Sequence, residues 1–201
     1  NTKNNCLSLE GRSPIYFKRM SLNVGSETFE SSQYPKTKRS DLQIPIKPFY
    51  RALKWIEDQD SKPLSINQYP ITVVGSGFAA IEVILALRAR WYSRPLQLQV
   101  DFNQLDSRFF KRLFDSRIKI ISKEEAIEGA ALLCTGNKAP DWLIRSKLPI
   151  DSGGRVLTNE TLQVINYPNL FAAGDCGVIK GNNRKASGVW AVRAALPLAR
   201  N

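Results

Sequence analysis

The stretch Ile71-Thr72-Val73-Val74-Gly75-Ser76-Gly77-Phe78-Ala79-Ala80-Ile81-Glu82 decides the fold. Four β-prone residues run straight into two glycines, and a helical apolar pattern begins at once. A strand, tight turn and helix in this order form a cradle for a dinucleotide pyrophosphate. Gly75 permits the turn, Gly77 lets backbone approach phosphate closely, and small Ala80 lets the helix pack on the strand. The helix N-terminus adds unpaired N–H donors and a partial positive charge. Ser76, Phe78 and Ala79 complete the candidate contact. The structural alternative is an ordinary βα turn in some other α/β domain.

The surrounding residues extend this unit. The helix is expected from Phe78 to about Trp91, Arg94-Pro95 breaks it, and Leu96-Gln97-Leu98-Gln99-Val100 alternates as a second strand. Asp101 stands at that strand's end, about 20 residues past the glycine turn. A carboxylate there accepts hydrogen bonds from an adenosine ribose, or it is a surface Asp after a strand. In the first case it repels a 2′-phosphate and favours NAD, whereas nearby Arg108, Lys111 and Arg112 would reverse the preference. Arg108 to Phe114 then reads as a short helix, Ile118 to Ile121 as a strand, and residues 123–128 as a brief polar connection. Ala130 to Cys134 reads as a buried strand ending in Thr135-Gly136, small residues where ligands meet a parallel sheet.

Before this unit, residues 7–25 read as extended, with a turn at Gly11-Arg12-Ser13-Pro14 and a strand from Met20 that ends in Gly25-Ser26. Glu27 to Asp41 reads as a polar loop or crossover, Tyr50 to Asp58 as a helix burying Leu53 and Ile56, and Asp58 to Pro70 as a polar connection. After it, Val156 to Thr158 and Leu162 to Ile165 read as short strands. Asn169-Leu170-Phe171-Ala172-Ala173 delivers Gly174-Asp175 at a strand tip. A carboxylate placed so can meet a sugar-like hydroxyl, though Gly-Asp is also a common turn. Lys185 to Arg193 begins a helix whose small first turn, Ser187-Gly188, could face a ring or anion. Trp190 reads as a core residue.

Composition prunes the chemistry. The chain has 201 residues, enough to bury a core in one or two domains, and no His, so no imidazole base or His-ligated metal comes from it. Cys6, Cys134 and Cys176 are widely spaced, which argues against a redox dithiol or zinc knuckle and suits a reducing compartment. The net charge of +11 is spread over scattered Lys and Arg, as in Lys36-Thr37-Lys38-Arg39 and Arg88-Ala89-Arg90, with no aromatic-basic array. A solvated basic surface is therefore expected rather than nucleic-acid binding. Glu82 and Arg88 interrupt the best apolar run, so no transmembrane segment is expected. The start, Asn1-Thr2-Lys3-Asn4-Asn5, has neither an initiator Met nor a signal-peptide core and reads as the beginning of a fragment.

Four segments in order resemble a known group: Leu22-Asn23-Val24-Gly25-Ser26, Gly75-x-Gly77-x-x-Ala80-x-Glu82, Leu133-Cys134-Thr135-Gly136 and Phe171-Ala172-Ala173-Gly174-Asp175. They resemble the pyridine nucleotide-disulfide oxidoreductase superfamily of two-dinucleotide flavoproteins, and within it the type II NADH dehydrogenase-like branch. Ile44-Pro45-Ile46-Lys47-Pro48 and Lys185-Ala186-Ser187-Gly188-Val189-Trp190-Ala191-Val192-Arg193 resemble the oxidoreductase module joined to selenide, water dikinase. The resemblance implies an α/β fold with a Rossmann-like NAD(P)-binding domain (residues 47–138) inserted in an incomplete FAD-binding domain (1–46 and 139–201).

On that pattern Gly75, Gly77 and Ala80 face the NAD(P) pyrophosphate, Glu82 sits just inside the helix, and Thr135 and Gly136 border the same nucleotide. Asp175 holds the FAD ribityl chain, with Gly174 beside the phosphates and Gly25 on the flavin side. The helix from Ser187-Gly188 points at the flavin pyrimidine edge. The implied reaction is hydride transfer from NAD(P)H to FAD and on to a quinone or small-molecule acceptor. It needs no protein acid or base, which suits a chain without His. The implied setting is cytoplasmic or peripheral at a membrane, with selenide, water dikinase as a fused or associated partner; the alternative is a non-catalytic nucleotide-binding module linked to it. Three features depart from the pattern. No glycine turn for the FAD phosphates precedes Gly75, only eight residues separate Ile121 from Ala130, and paired redox cysteines are missing.

Overall fold

A computed structural model of the chain describes residues 4–29, 42–62, 69–182, 184 and 186–201. The expected polar crossover beyond position 29, including Lys36-Thr37-Lys38-Arg39, lies outside the described residues, as do 63–68 of the second connection and Lys185. The first elements are β1 (Cys6–Leu9), β2 (Arg12–Tyr16), β3 (Met20–Leu22), β4 (Glu27–Thr28), β5 (Gln43–Pro45), α1 (Phe49–Asp60) and β6 (Ile71–Val74). Then come α2 (Phe78–Arg90), β7 (Leu96–Val100), α3 (Phe110–Asp115), β8 (Lys119–Ser122), β9 (Ala131–Leu133), β10 (Asn137–Lys138) and α4 (Asp141–Arg145). The chain closes with β11 (Val156–Thr158), β12 (Leu170–Ala172), β13 (Gly177–Ile179), α5 (Gly188–Arg193) and α6 (Ala195–Ala199).

Two compact units result, one from Thr28–Asn137, called inner because it is the inner segment in chain order, and one from Asn1–Glu27 with Lys138–Asn201, called outer in the same sense. The first division falls earlier than the expected boundary at 46/47. The reason is β5, which pairs in parallel with β9 through Gln43↔Ala131 and so joins its segment to the inner unit.

The inner unit is built on a five-stranded sheet in the order β5-β9-β6-β7-β8, with every pair parallel. All four residues of β6 are buried, the continuous apolar run that a parallel strand covered on both faces requires. Ala80, Ile81, Ile84 and Leu87 of α2 and Ala52 and Ile56 of α1 join Val73, Leu98 and Leu132 in one core. Arg88 and Arg90 occupy the last turn of α2, where cations complement the helix dipole. From β6 the chain runs outward to β7 and β8, then returns to β9 on the other side of β6. That reversal lies between β6 and β9, and open α/β sheets hold ligands outside the carboxyl ends of the strands at such a point.

The outer unit contains smaller pieces. β1 and β2 form an antiparallel hairpin, β3 pairs in parallel with β12, and β11 pairs in parallel with β13. Leu22, Leu143, Val156, Leu170, Ala172 and Cys176 share its core. Several expectations are corrected here. Arg12, Ser13 and Pro14 belong to β2 and not to a turn, because Gly11, at φ 68°, already reverses the chain. Leu162 to Ile165 makes only isolated bridges, Thr158↔Val164 and Gln163↔Phe171, because Leu162 and Asn166 sit at positive φ and interrupt the strand. Trp190 is 39 % exposed, with the guanidinium of Arg184 4.0 Å and that of Arg193 5.0 Å from its ring centroid. Cation–π contacts at the surface hold it there in place of a core.

Candidate nucleotide-binding site

The glycine turn takes its shape from the strand beside it. Gly75 donates its N–H to the Gln99 carbonyl at 2.9 Å, and Cys134 donates to the Val74 carbonyl at 2.8 Å. At φ 141° Gly75 runs so close to β9 that a Cβ would meet the Cys134 carbonyl oxygen at 2.5 Å and the Ala80 side chain at 3.4 Å. Gly75 is therefore needed for packing as well as for the turn, and Ala80, fully buried, is small for the same reason. Gly77 differs. Its φ of −86° is open to any residue, and a Cβ there would meet nothing within 4 Å. Gly77 caps α2 without a side-chain hydrogen bond; the Ala80 N–H turns back onto the Gly77 carbonyl at 3.0 Å, which leaves the N–H groups of Phe78 and Ala79 as the first-turn donors for whatever enters that space.

Ser76, Gly77, Phe78, Ala79 and Glu82 divide by exposure: Ser76 is buried, the other four face outward. Ser76 ties the turn to the end of β7. Its hydroxyl donates to the Asp101 carbonyl at 3.2 Å and accepts from the Asp101 N–H at 2.8 Å. Phe78 packs its exposed ring edge-on against Phe109 at 5.6 Å. Thr135 and Gly136 follow β9 at the same sheet edge. The Thr135 hydroxyl donates to the Phe29 carbonyl, and the Gly136 carbonyl accepts from the Phe29 N–H at 3.1 Å.

Asp101 is 8 % exposed, and its carboxylate is already engaged. Oδ1 accepts from the Asn103 N–H at 3.0 Å, and Oδ2 accepts from the Lys123 ammonium at 2.7 Å and the Gln104 amide at 3.4 Å. The Lys123 hydrogen bond, then the Asn103 N–H, hold its pKa below the ordinary carboxylate value. Arg108, expected to act here, folds onto Asp106 at 2.5 Å, and Lys111 and Arg112 are exposed. Reading the sequence missed Lys123 because 123–128 looked like a plain connection. The signal was the sheet register: Val100 pairs with Ser122, so the next residues out, Asp101 and Lys123, meet.

The outer unit carries the second group. The Ser26 hydroxyl donates to Asp175 Oδ2 at 2.9 Å, and Asp175 lies in the tight turn Gly174–Cys176 after β12. Gly174 sits at φ 68°, a conformation that favours glycine, and a Cβ there would displace the end of the Asn23 side chain, 2.6 Å away. At Gly25, φ 71°, a Cβ would meet nothing within 4 Å. Half-buried Asp175 beside a hydroxyl and two positive-φ glycines suits a polyol chain. Cys176 is fully buried, with its Sγ 3.2 Å from the Ala173 carbonyl, and burial raises its pKa. Ser187 and Gly188 are exposed at the head of α5, which spans only six residues. The helix expected to begin in Lys185 to Arg193 spans Gly188–Arg193 as α5, and α6 follows from Ala195.

No protein-family model and no curated protein matches the sequence. Solved structures do. The water-forming NADH oxidase from Lactobacillus brevis bound to NADH superposes with a TM-score of 0.77 at 18 % identity, over 100 % of this chain and 51 % of that one. An FAD-dependent pyridine nucleotide-disulphide oxidoreductase from Desulfovibrio vulgaris gives 0.72 at 16 %, over 96 % of this chain and 57 % of that one. Thioredoxin reductase from Lactococcus lactis gives 0.67 at 14 %, over 94 % and 66 %. The chain thus spans about half the length of the first structures it matches. At these identities the likeness establishes the fold, that of FAD- and NAD(P)-dependent Rossmann-type oxidoreductases.

Proposed function

We propose that this chain is part of an FAD-dependent oxidoreductase that takes electrons from NAD(P)H, the inner unit holding the nicotinamide nucleotide and the outer unit contributing to the flavin site. The open cradle at Gly77, lying at the chain reversal between β6 and β9, carries the reading. When both groups are bound, the nicotinamide supplies a hydride and the flavin accepts it.

The protein's own residues bind, orient and exclude water. The N–H groups of Gly77, Phe78 and Ala79 would donate hydrogen bonds to the diphosphate, Ser76 fixes the turn against Asp101, and Thr135 and Gly136 would border the nucleotide. Asp175, held by Ser26, accepts from a ribityl hydroxyl. The three cysteines within these 201 residues are buried, so this chain itself offers no dithiol, and the acceptor in this reading is a quinone or a small redox partner. Among the described residues no helix is long and apolar enough to cross a membrane.

Recording the spectrum of the full-length protein that carries this chain, before and after NADH is added, tests the proposal. A flavin spectrum that bleaches on NADH addition supports it; a full-length protein that binds NADH but carries no flavin contradicts it. The second outcome favours an accessory nucleotide-holding module, a reading motivated by the single strand–glycine–helix unit within these 201 residues. The solved structures give no support to a link between either reading and selenide, water dikinase.

A further inference from the structure

Asp101 at the end of β7 marks where the adenosine ribose would lie, if the inner unit holds a nicotinamide nucleotide as proposed. A bare carboxylate there accepts from the 2′- and 3′-hydroxyls of NADH and repels the 2′-phosphate of NADPH. Here the carboxylate is not bare. Lys123 Nζ sits 2.7 Å from Asp101 Oδ2, and its side chain keeps 31 % of its exposure while that of Asp101 keeps 10 %. The carboxylate is thus the more buried member of the pair, and the lysine side chain the more exposed.

The lysine is also held in place. It lies in a turn pinned on two sides: Glu125 Oε1 accepts from the Ser122 N–H at 2.8 Å, and the Gln99 amide donates to the Ser122 carbonyl at 3.3 Å and the Glu125 carbonyl at 2.7 Å. Gln99 itself is fully buried in β7, two residues before Asp101. The Asp101 backbone is fixed in turn by Ser76.

We propose that the Lys123–Asp101 pair sets the nucleotide preference of the site and makes it accept NADPH as well as NADH. Lys123 neutralises the carboxylate and shares its ammonium with a 2′-phosphate, while Asp101 Oδ1 keeps one lone pair for a ribose hydroxyl. Lys123 is a specificity residue under this inference, and it touches the part of the nucleotide remote from the reacting ring.

Equilibrium titration of the full chain with NADH and with NADPH tests this. The wild-type chain binds the two within about tenfold of each other, a difference of order one charge-assisted hydrogen bond. Lys123→Met lowers NADPH affinity about tenfold or more and leaves NADH affinity within about threefold. Lys123→Arg, which keeps the charge, retains NADPH binding, and Asp101→Asn shifts the ratio toward NADPH. General damage to the fold would weaken both nucleotides alike and leave their ratio unchanged. If both nucleotides bind and Lys123→Met does not change the ratio, the specificity inference falls while the functional reading stands. If neither binds, the functional reading falls and takes this inference with it.

Discussion

Gly75 and Cys134 are packed so that a β-carbon at position 75 would stand 2.5 Å from the Cys134 carbonyl oxygen. The turn is therefore set by the neighbouring strand before any ligand arrives. Two residues on, Gly77 borders open space. The two glycines of one motif thus have separable roles.

Their separation predicts opposite outcomes. Gly75→Ala introduces a strained φ and a backbone overlap, and costs roughly 2–5 kcal/mol of stability, read as a lowered melting temperature. Gly77→Val leaves the melting temperature within a few degrees and weakens nicotinamide nucleotide binding by about tenfold or more. Loss of stability in both variants alike would contradict the assignment.

The Ser26–Asp175 hydrogen bond joins segments 149 residues apart in sequence within the outer unit. Asp175→Ala is expected to weaken FAD uptake by about tenfold to a hundredfold, with NADH binding unchanged, and Ser26→Ala to do so less. Flavin fluorescence quenching reports the first and calorimetry the second. A larger effect on NADH than on FAD would mean that the two groups of residues are exchanged.

Thiol chemistry gives a prediction independent of any ligand. Burial pushes the Cys134 thiol up to about 12 and raises that of Cys176. Neither reacts measurably with a thiol reagent at mildly alkaline pH in the native protein, and both react once the chain is unfolded. Rapid labelling of native Cys176 would show that the turn after β12 opens readily.

Acid stability follows from three depressed carboxylates. Hydrogen bonds from Arg90 and Trp91 take Asp60 from 3.8 to about 2, that from Arg108 takes Asp106 to about 2, and that from Lys123 lowers Asp101. The unfolded chain then binds protons that the folded one does not, so stability is lost as pH falls from about 4 toward about 2. A melting-temperature profile should decline across that window and flatten in Asp60→Asn. An unaltered profile in the variant would remove Asp60 from the account.

The inner unit was largely legible in the sequence because its signals are local. β6 is a continuous apolar run, α2 follows the glycines at once, and both boundaries lie within a residue or so of expectation. What escaped depends on partners distant in the chain. β5 joins the inner unit through its pairing with β9, a strand about ninety residues later in the chain, so the division at Glu27/Thr28 had no local mark. Lys123 meets Asp101 through the parallel register of β7 and β8. Trp190 reads as core by residue type, yet Arg184 and Arg193 hold it at the surface. The short strand β13 pairs with β11 about twenty residues earlier, and its glycine-led sequence carries no strand pattern.

The central claim is that main-chain amides at the head of α2 receive a diphosphate. Backbone amide NMR of the isotopically labelled chain during NADH titration tests it most directly. The account predicts saturable shifts concentrated at Gly77, Phe78, Ala79 and Ala80, lost in Gly77→Val. Saturable binding that leaves those four amides unmoved, or no binding by a folded chain, would contradict it.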